Sequence, residues 1–250
     1  MPRFFVRQDR ISNSSISIIG EDAHHIARSL RMAAGEEITV CDMQGNEYTC
    51  KISSFNDDKE VIAEILSQKK SENEPYAFIT LYQALPKGDK FDTIIQKAVE
   101  CGASKIVPFQ SERCVVKIKN DSEDKKKERR QRISAEAAKQ CGRSVIPEVS
   151  NPISFKEALN AAKENDLILF CYEGDGTVSL GNILKNAFVN EQSAPKSIAI
   201  FVGSEGGFSI NEAELAKNSG AVMTGLGKRI LRTETASGFV LACLVCFSEL

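Results

Sequence analysis

Residues 197–216, SIAIFVGSEGGFSINEAELA, pass from an apolar run through a glycine-bearing turn into a helix-forming segment. An apolar run without polar alternation suits a strand buried on both faces, as in a parallel sheet covered by helices. Gly203, Gly206 and Gly207 in the turn allow backbone angles and close approaches that a side chain would block. Ser209 and Glu212, three apart, have the pattern of a capping box, so a helix is expected from Ile210 to Asn218. Ligands of parallel sheets gather at the carboxyl ends of strands, where this turn sits. Its spacing is neither the dinucleotide fingerprint nor a Walker loop, and no Lys-Ser or Lys-Thr follows. Alone, the turn is either a ligand cradle or a tight strand-to-helix connection.

The arrangement recurs in residues 225–246, GLGKRILRTETASGFVLACLVC. Gly225, Leu226 and Gly227 close a strand, Thr233 is placed to cap a long helix from about Glu234 to Ser248, and Lys228 to Arg232 form a basic and apolar loop between them. Ile230 and Leu231 suit an adenine ring and a thioether, and Arg232 suits a polar or anionic substrate. The bland alternative packs Ile230 and Leu231 under the sheet and leaves Arg232 solvated.

Upstream, strand and helix patterns alternate from Tyr76 onward: AFITLYQAL, a helix from about Lys90 to Cys101, KIVPFQ, a basic helix, a helix near 154–164, LILFCYE, and a short helix near 180–188. Residues 1 to about 70 differ, with short segments EITVCD, EYTCKISSF and EVIAEILSQ, a turn at Gln44-Gly45-Asn46, and a short helix from Asp22 to before Gly35. Gln68 to Pro75 has the composition of a linker. An α/β protein of two parts is therefore expected, a small mostly β domain over 1–72 and a parallel-sheet domain over 73–250.

With 42% hydrophobic and 26% charged residues, the 250-residue chain is of ordinary globular composition, and no apolar run reaches the roughly 20 residues that span a bilayer. The first twenty residues lack a signal-peptide core, so a cytoplasmic protein without membrane partners is expected. The eight cysteines stand singly except Cys243 and Cys246, both expected on a packing face, which predicts buried free thiols and no metal. Net charge is −2, yet residues 113–143 hold eleven Lys or Arg against five Asp or Glu. Lys125, Lys126, Lys127, Arg129 and Arg130 in that stretch form either a phosphate-facing surface or a solvated face. Arg3, Arg7, Arg28 and Arg31 in the small domain are further candidates for phosphate contact, although each could equally be a surface cation. His24 and His25 are expected to be structural or ligand-contacting rather than a catalytic base, because they lie far along the chain from the glycine turns.

GSEGGFSINEAE (203–214) followed by GLGKRILRTETA (225–236) resembles the ribosomal RNA small subunit methyltransferase E family of the SPOUT class. The resemblance extends to HHIARSLRMAAGEEI (24–38), KGDKFDTIIQKAVECGASKIVPFQSERCVV (87–116) and RISAEAAKQCGRSVIPEV (132–149). It implies a small PUA-like β-barrel domain, a trefoil-knotted SPOUT domain, a homodimer, and S-adenosylmethionine-dependent methylation of N3 of a uridine in 16S ribosomal RNA, within the 30S subunit. It also implies that the donor is held without metal by three loops. Their matching residues here are Phe170, Cys171, Tyr172 and Glu173; Gly203, Ser204 and Gly206; and Leu226, Gly227, Ile230 and Leu231.

Uridine N3 becomes nucleophilic as its proton leaves, so a cation near a ring carbonyl and a proton acceptor are required. Arg232 is the first candidate for the cation and Arg113 the second. Glu205 is a candidate base, with Glu234 competing. A valine at Gly203 or Gly206 is expected to take space needed by the donor while leaving the protein folded. A nucleotide-dependent oxidoreductase is disfavoured by the missing fingerprint. Methylation of another RNA base and a catalytically silent RNA-binding assembly factor are the remaining alternatives.

Overall fold

The computed structural model describes residues 1–118 and 123–249. They divide into one unit of Met1–Glu74 with Ala138–Ile146 and a second of Pro75–Ala137 with Pro147–Leu250.

The first unit is built on β1 (Arg3–Phe5), β2 (Ser15–Ile19), β3 (Glu37–Cys41), β4 (Asn46–Asn56) and β5 (Glu60–Lys70), in the order β1-β3-β4-β5-β2. Only the β1–β3 pair is parallel. The inward positions Phe4, Ile16, Ile18, Ile38, Val40, Ile52 and Val61 form its core. Two expectations are corrected. Residues 68–70 are strand, not linker, because β5 goes on pairing with β4, through register shifts at Thr49/Cys50 and Ile52/Ser54, as far as Lys70 opposite Asn46; its polar outer side chains reflect solvent on that face. The short helix α1 (Glu21–His24) starts after Gly20, with no side-chain cap, and continues as one π turn only to Ser29. Asp22 is an ion-pair partner of Lys139 at 2.7 Å rather than a cap. Glu74 closes the unit by accepting from Arg143 Nη2 at 2.6 Å and from the Ser144 N–H at 2.7 Å.

The second unit runs β6 (Phe78–Ala84), α2 (Lys90–Glu100), β7 (Lys105–Gln110), α3 (Glu123–Cys141), β8 (Glu148–Val149), β9 (Ile153–Ser154), α4 (Phe155–Ala162), β10 (Leu167–Cys171), β11 (Val178–Ser179), α5 (Leu180–Ala187), β12 (Ser197–Val202), α6 (Ile210–Asn218), β13 (Val222–Gly225) and α7 (Thr233–Glu249). The sheet order is β11-β13-β10-β12-β6-β7-β8, with β9 beside β7. Every pair is parallel. Ile198, Ala199, Ile200 and Phe201 of β12 are completely buried, as covering both faces with helices requires. Because all strands point one way, the loops after β10, β12 and β13 leave from the same edge.

The capping box at Ser209 and Glu212 forms as expected, with Glu212 N–H donating to Ser209 Oγ at 3.1 Å and Ser209 N–H to Glu212 Oε2 at 2.9 Å. Glu212 is 1% exposed and also accepts from Ser111 Oγ at 3.1 Å and from the Glu112 N–H at 3.0 Å. The buried carboxylate thus has the donors its burial demands. Phe208, the last residue before this cap, enters an aromatic cluster with its ring 4.1 Å from that of Phe170 and 6.2 Å from that of Phe109. The glycine turn is therefore pinned by a core side chain on one side and a helix cap on the other.

All eight cysteines are free, but only Cys41, Cys50 and Cys114 are buried. The expectation of a packing face for both Cys243 and Cys246 fails at Cys246, which is exposed on α7. Among the described residues no group of three His, Cys, Asp or Glu is placed to hold a metal ion, and no helix is long and apolar enough to cross a membrane.

Candidate functional site

A cavity of about 650 Å³ opens at the edge where β10, β12 and β13 end. Residues from all three expected donor loops line it: Cys171, Tyr172 and Glu173; Gly203, Ser204 and Gly206; Leu226, Gly227, Ile230 and Leu231. Phe170 does not line it; the ring is completely buried beneath, packed on Phe208 and Tyr172. Lys90, Arg113, Lys228, Arg229 and Arg232 bring five cations to the walls.

In the glycine turn the Gly207 N–H donates to the Ser204 carbonyl oxygen at 2.9 Å, and Gly207 has φ +64°, in the region where glycine carries no penalty. A Cβ built on Gly203 would lie 3.1 Å from Gly207 Cα and 3.3 Å from Phe208 Cδ2. One on Gly206 would lie 3.0 Å from Arg113 Cβ and 3.2 Å from the Arg113 carbonyl oxygen. The close approaches expected at these glycines are present, and they are made by the chain itself, which fills the space a side chain would need. Arg113 also donates from Nη1 to the Gly206 carbonyl oxygen at 3.1 Å, which makes it a brace of the turn. The buried Ser204 hydroxyl, beside the Cys114 thiol, makes no hydrogen bond of ordinary length. Burial pushes the Cys171 thiol up to about 12, so it lines the cavity as a neutral group.

The charged wall is a cluster rather than a set of separate groups. Lys90 Nζ lies 2.8 Å from Glu205 Oε1 and 3.7 Å from Glu234 Oε2. The Lys87 N–H donates to both oxygens of Glu205, at 3.2 and 3.4 Å. Partial burial opposes ionisation of Glu205, but the Lys90 contact and the Lys87 amide outweigh it and hold the carboxyl below its usual range. Glu205 is therefore a salt-bridged clamp between the turn and the α2 segment. A lowered carboxyl contributes stability above its unfolded pKa and loses it as pH falls through its folded value. The clamp should thus survive through the ordinary glutamate range near ~4.3 and release only below it. Thermal unfolding of the parent and Glu205→Gln should converge only under that more acidic condition; equal stabilities at pH 7 would show that the clamp contributes nothing.

Arg232 is exposed and, among the described residues, makes no ion pair. It lies close enough to Lys90 to oppose the ammonium charge there, against the larger effect of Glu205. Ile230 lines the cavity yet is 82% exposed, so it is surface available to a ligand rather than core. Thr233 was expected to cap α7, but its hydroxyl donates to the Gly203 carbonyl oxygen at 2.6 Å, and the carbonyl of Arg232 accepts from the Thr235 N–H at 2.9 Å and the Ala236 N–H at 2.8 Å. Lys90 was not anticipated from sequence, because it stands at a helix start more than a hundred residues from the turn it holds.

Residues 72–245 match the model of the RNA methyltransferase domain, and residues 18–66 that of the RNA methyltransferase PUA domain. The chain is 35% identical to the ribosomal RNA small subunit methyltransferase E of Bacillus subtilis over 100% of its own length and 98% of the relative's. The chain belongs to the ribosomal RNA small subunit methyltransferase E family. A solved member from Neisseria gonorrhoeae, bound to S-adenosyl methionine, is 31% identical with a TM-score of 0.84, covering 98% of this chain and 97% of that one. A Legionella pneumophila methyltransferase in complex with the cofactor SAM is 30% identical with a TM-score of 0.83, covering 98% and 96%.

Within this family member, the residues expected to meet RNA fall into two groups. Arg3 is engaged inside the first unit, 2.9 Å from Glu47 and also donating to Cys41 Sγ. Arg130 has a side chain only 12% exposed, 4.9 Å above the Phe91 ring and 3.5 Å from Glu123, so phosphate contact would require dismantling that packing. Arg129 is exposed but paired with Asp92, and Lys126 pairs with Glu123 at 2.8 Å. Arg7 and Arg28 are exposed with acidic neighbours Asp9 and Asp58, and Arg31 is exposed in the left-handed region at φ 52°. Lys125 and Lys127 carry no ion pair among the described residues. Lys119 of the basic stretch lies outside the described residues. His24 is exposed 4.0 Å from Asp58, and His25 meets the Phe4 ring edge-on.

Proposed function

We propose that this chain transfers a methyl group from S-adenosylmethionine to N3 of a uridine in 16S ribosomal RNA. The observation that carries the reading is the cavity where three loops of a family member converge at one sheet edge, with cations on its wall. A volume of about 650 Å³ is within the range of small-molecule sites, and its mixed lining suits a ligand with an adenine, a ribose and an amino acid. Bound there, the donor supplies an electrophilic methyl group. Leu226, Ile230 and Leu231 offer it apolar surface, and the Glu205 and Gly206 stretch of the turn, between the bridged Ser204 and Gly207, offers backbone polar groups.

The uridine N3 proton passes to a water molecule as the lone pair takes the methyl group and S-adenosylhomocysteine leaves, and in the course of the step negative charge spreads to the ring carbonyls. Arg232 supplies a planar set of donors to that charge, and Arg113 braces the turn. Glu205, already salt-bridged, positions the turn rather than accepting the proton.

The remaining parts of the reading are a domain boundary near residue 72, a homodimer, a 30S particle as substrate and hence a cytoplasmic place of action. The crossing from β12 to β13 over β10, followed by the return of α7 onto α2 and α5, supports the knotted path of the class. Phosphate contacts on α3 are assigned to Lys125, Lys127 and the exposed Arg132. Replacing those three by Ala should weaken RNA binding and reduce its slope against log salt by roughly 2 to 3, one per lost phosphate contact. Filter binding across a salt series reads this, and an unchanged slope returns α3 to a solvated face.

Calorimetric titration with S-adenosylmethionine, followed by methylation of 30S particles and of free 16S RNA with nucleoside mass spectrometry, tests the whole reading. Micromolar donor binding and 3-methyluridine from 30S particles support it. Absence of donor binding makes the chain an RNA-binding assembly factor, and a different methylated base overturns the N3 assignment.

A further inference from the structure

Gln83 is the amide-bearing residue of the largely apolar stretch ITLYQAL, and it is completely buried near the carboxyl end of β6. Its amide nitrogen donates to Thr233 Oγ1 at 2.9 Å, to the Ala84 carbonyl oxygen at 3.0 Å and, at 3.4 Å, to the Gly203 carbonyl oxygen. Thr233 in turn donates to the same Gly203 carbonyl at 2.6 Å. The Gln83 carbonyl oxygen Oε1 has no hydrogen-bond partner. A buried acceptor left alone is costly, so an apolar residue would serve the strand better unless the donor end is required. The donor end touches what the strand's own packing does not need: one carbonyl in the glycine turn and one hydroxyl at the start of α7.

We propose that Gln83 and Thr233 are positioning residues for the methyl donor, locking the turn after β12 to the loop after β13 through the single carbonyl of Gly203. This rests on the donor-site reading above and goes beyond it, because neither side chain is asked to react. A trans peptide sets a carbonyl and the following N–H in opposite directions. Holding the Gly203 oxygen toward β6 and α7 therefore turns the Ser204 N–H away from them and toward Gly207, with which Ser204 forms an isolated antiparallel bridge, so the same carbonyl sets the shape of the whole turn. The same hydroxyl fixes where α7 begins, and so where the adjoining Arg232 and Leu231 stand. Two walls thirty residues apart in sequence then keep one spacing without the ligand present, which is the preorganisation that lowers the cost of binding.

The test compares Thr233→Val, which keeps the shape and removes the hydroxyl, with Thr233→Ser, which keeps the hydroxyl, and with Gln83→Leu. Donor affinity is measured by calorimetry with S-adenosylmethionine, alongside thermal unfolding and donor-dependent kinetics on 30S particles. Thr233→Val is expected to weaken donor affinity about tenfold or more and to raise the KM for donor more than it lowers kcat. Thr233→Ser is expected to recover most of that loss. Gln83→Leu should weaken affinity by a similar factor, and the double variant Gln83→Leu/Thr233→Val by less than the product of the two, since both act through one carbonyl. Should a variant fold poorly, the Val-to-Ser difference at matched unfolding temperature still decides. Parent-like affinity in Thr233→Val, or equal losses in Val and Ser, overturns the lock. A parent chain that binds no donor would instead overturn the donor-site reading itself.

Discussion

Arg232→Ala and Arg232→Lys should lower the single-turnover rate of methylation by about 10²-fold or more, while donor affinity stays within a few-fold of the parent. Removing one well-placed donor to a developing oxyanion typically costs that much in rate, whereas removing a solvated surface charge changes stability by under ~0.5 kcal/mol. The side chain is free to serve: it is exposed, has no ion-pair partner among the described residues, and lines the cavity directly after Leu231. Its neighbours matter as well. Glu205 and Glu234 are drawn to Lys90, at 2.8 and 3.7 Å, so neither neutralises Arg232 in a close pair. Lys at position 232 would preserve charge but not the planar fork that can hold a carbonyl in one orientation. The measurement uses 30S particles with saturating enzyme and donor, so that binding defects are separated from chemistry. A rate within a few-fold of the parent, or one that falls only as RNA affinity falls, would make Arg232 a binding residue and move the electrophilic role to Arg113.

The second large effect is expected at Gly203. Gly203→Val should raise the donor dissociation constant by at least about 10²-fold and also lower the unfolding temperature by several degrees, because even the Cβ meets backbone 3.1 Å away in the same turn. Forced overpacking of this kind costs typically 1–3 kcal/mol, and each kcal/mol is worth roughly 2–4 °C in a domain of this size. Gly206 provides the comparison. A Cβ there meets Arg113 Cβ at 3.0 Å and the Arg113 carbonyl oxygen at 3.2 Å, as tight as the contacts at Gly203, so Gly206→Ala should cost stability comparably to Gly203→Ala. Calorimetry with S-adenosylmethionine and differential scanning of the same samples give the two numbers. Unchanged donor affinity in the Gly203 variants would remove the turn from the binding site. Lost affinity without any loss of stability would restore the simpler explanation, in which the side chain merely occupies ligand space.

Sequence alone carried the alternation of buried apolar strands with capped helices, because burial on both faces demands an unbroken apolar run and a helix start demands a partner for its free amides. Hence β12, the Ser209 cap and α6 were legible residue by residue, and the two glycine-bearing turns could be singled out as a site, with the family resemblance adding the loop after β10 and naming the ligand. Where local composition and backbone pairing disagree, sequence misled: residues 68–70 look like linker but extend a strand, since β4 supplies their hydrogen bonds from 24 positions away at the Asn46–Lys70 pair. Charge was equally deceptive, for Arg3 and Arg130 look like phosphate ligands until Glu47, Glu123 and the Phe91 ring are seen to hold them. Only the tertiary structure decided that Thr233 serves the Gly203 carbonyl instead of its own helix, that Gln83 stands behind both, and that Lys90 draws two carboxylates together. Each of those contacts joins residues separated by thirty to one hundred and fifty positions. No local pattern encodes such a pairing; it exists because parallel strands bring the ends of distant segments to one edge of one sheet.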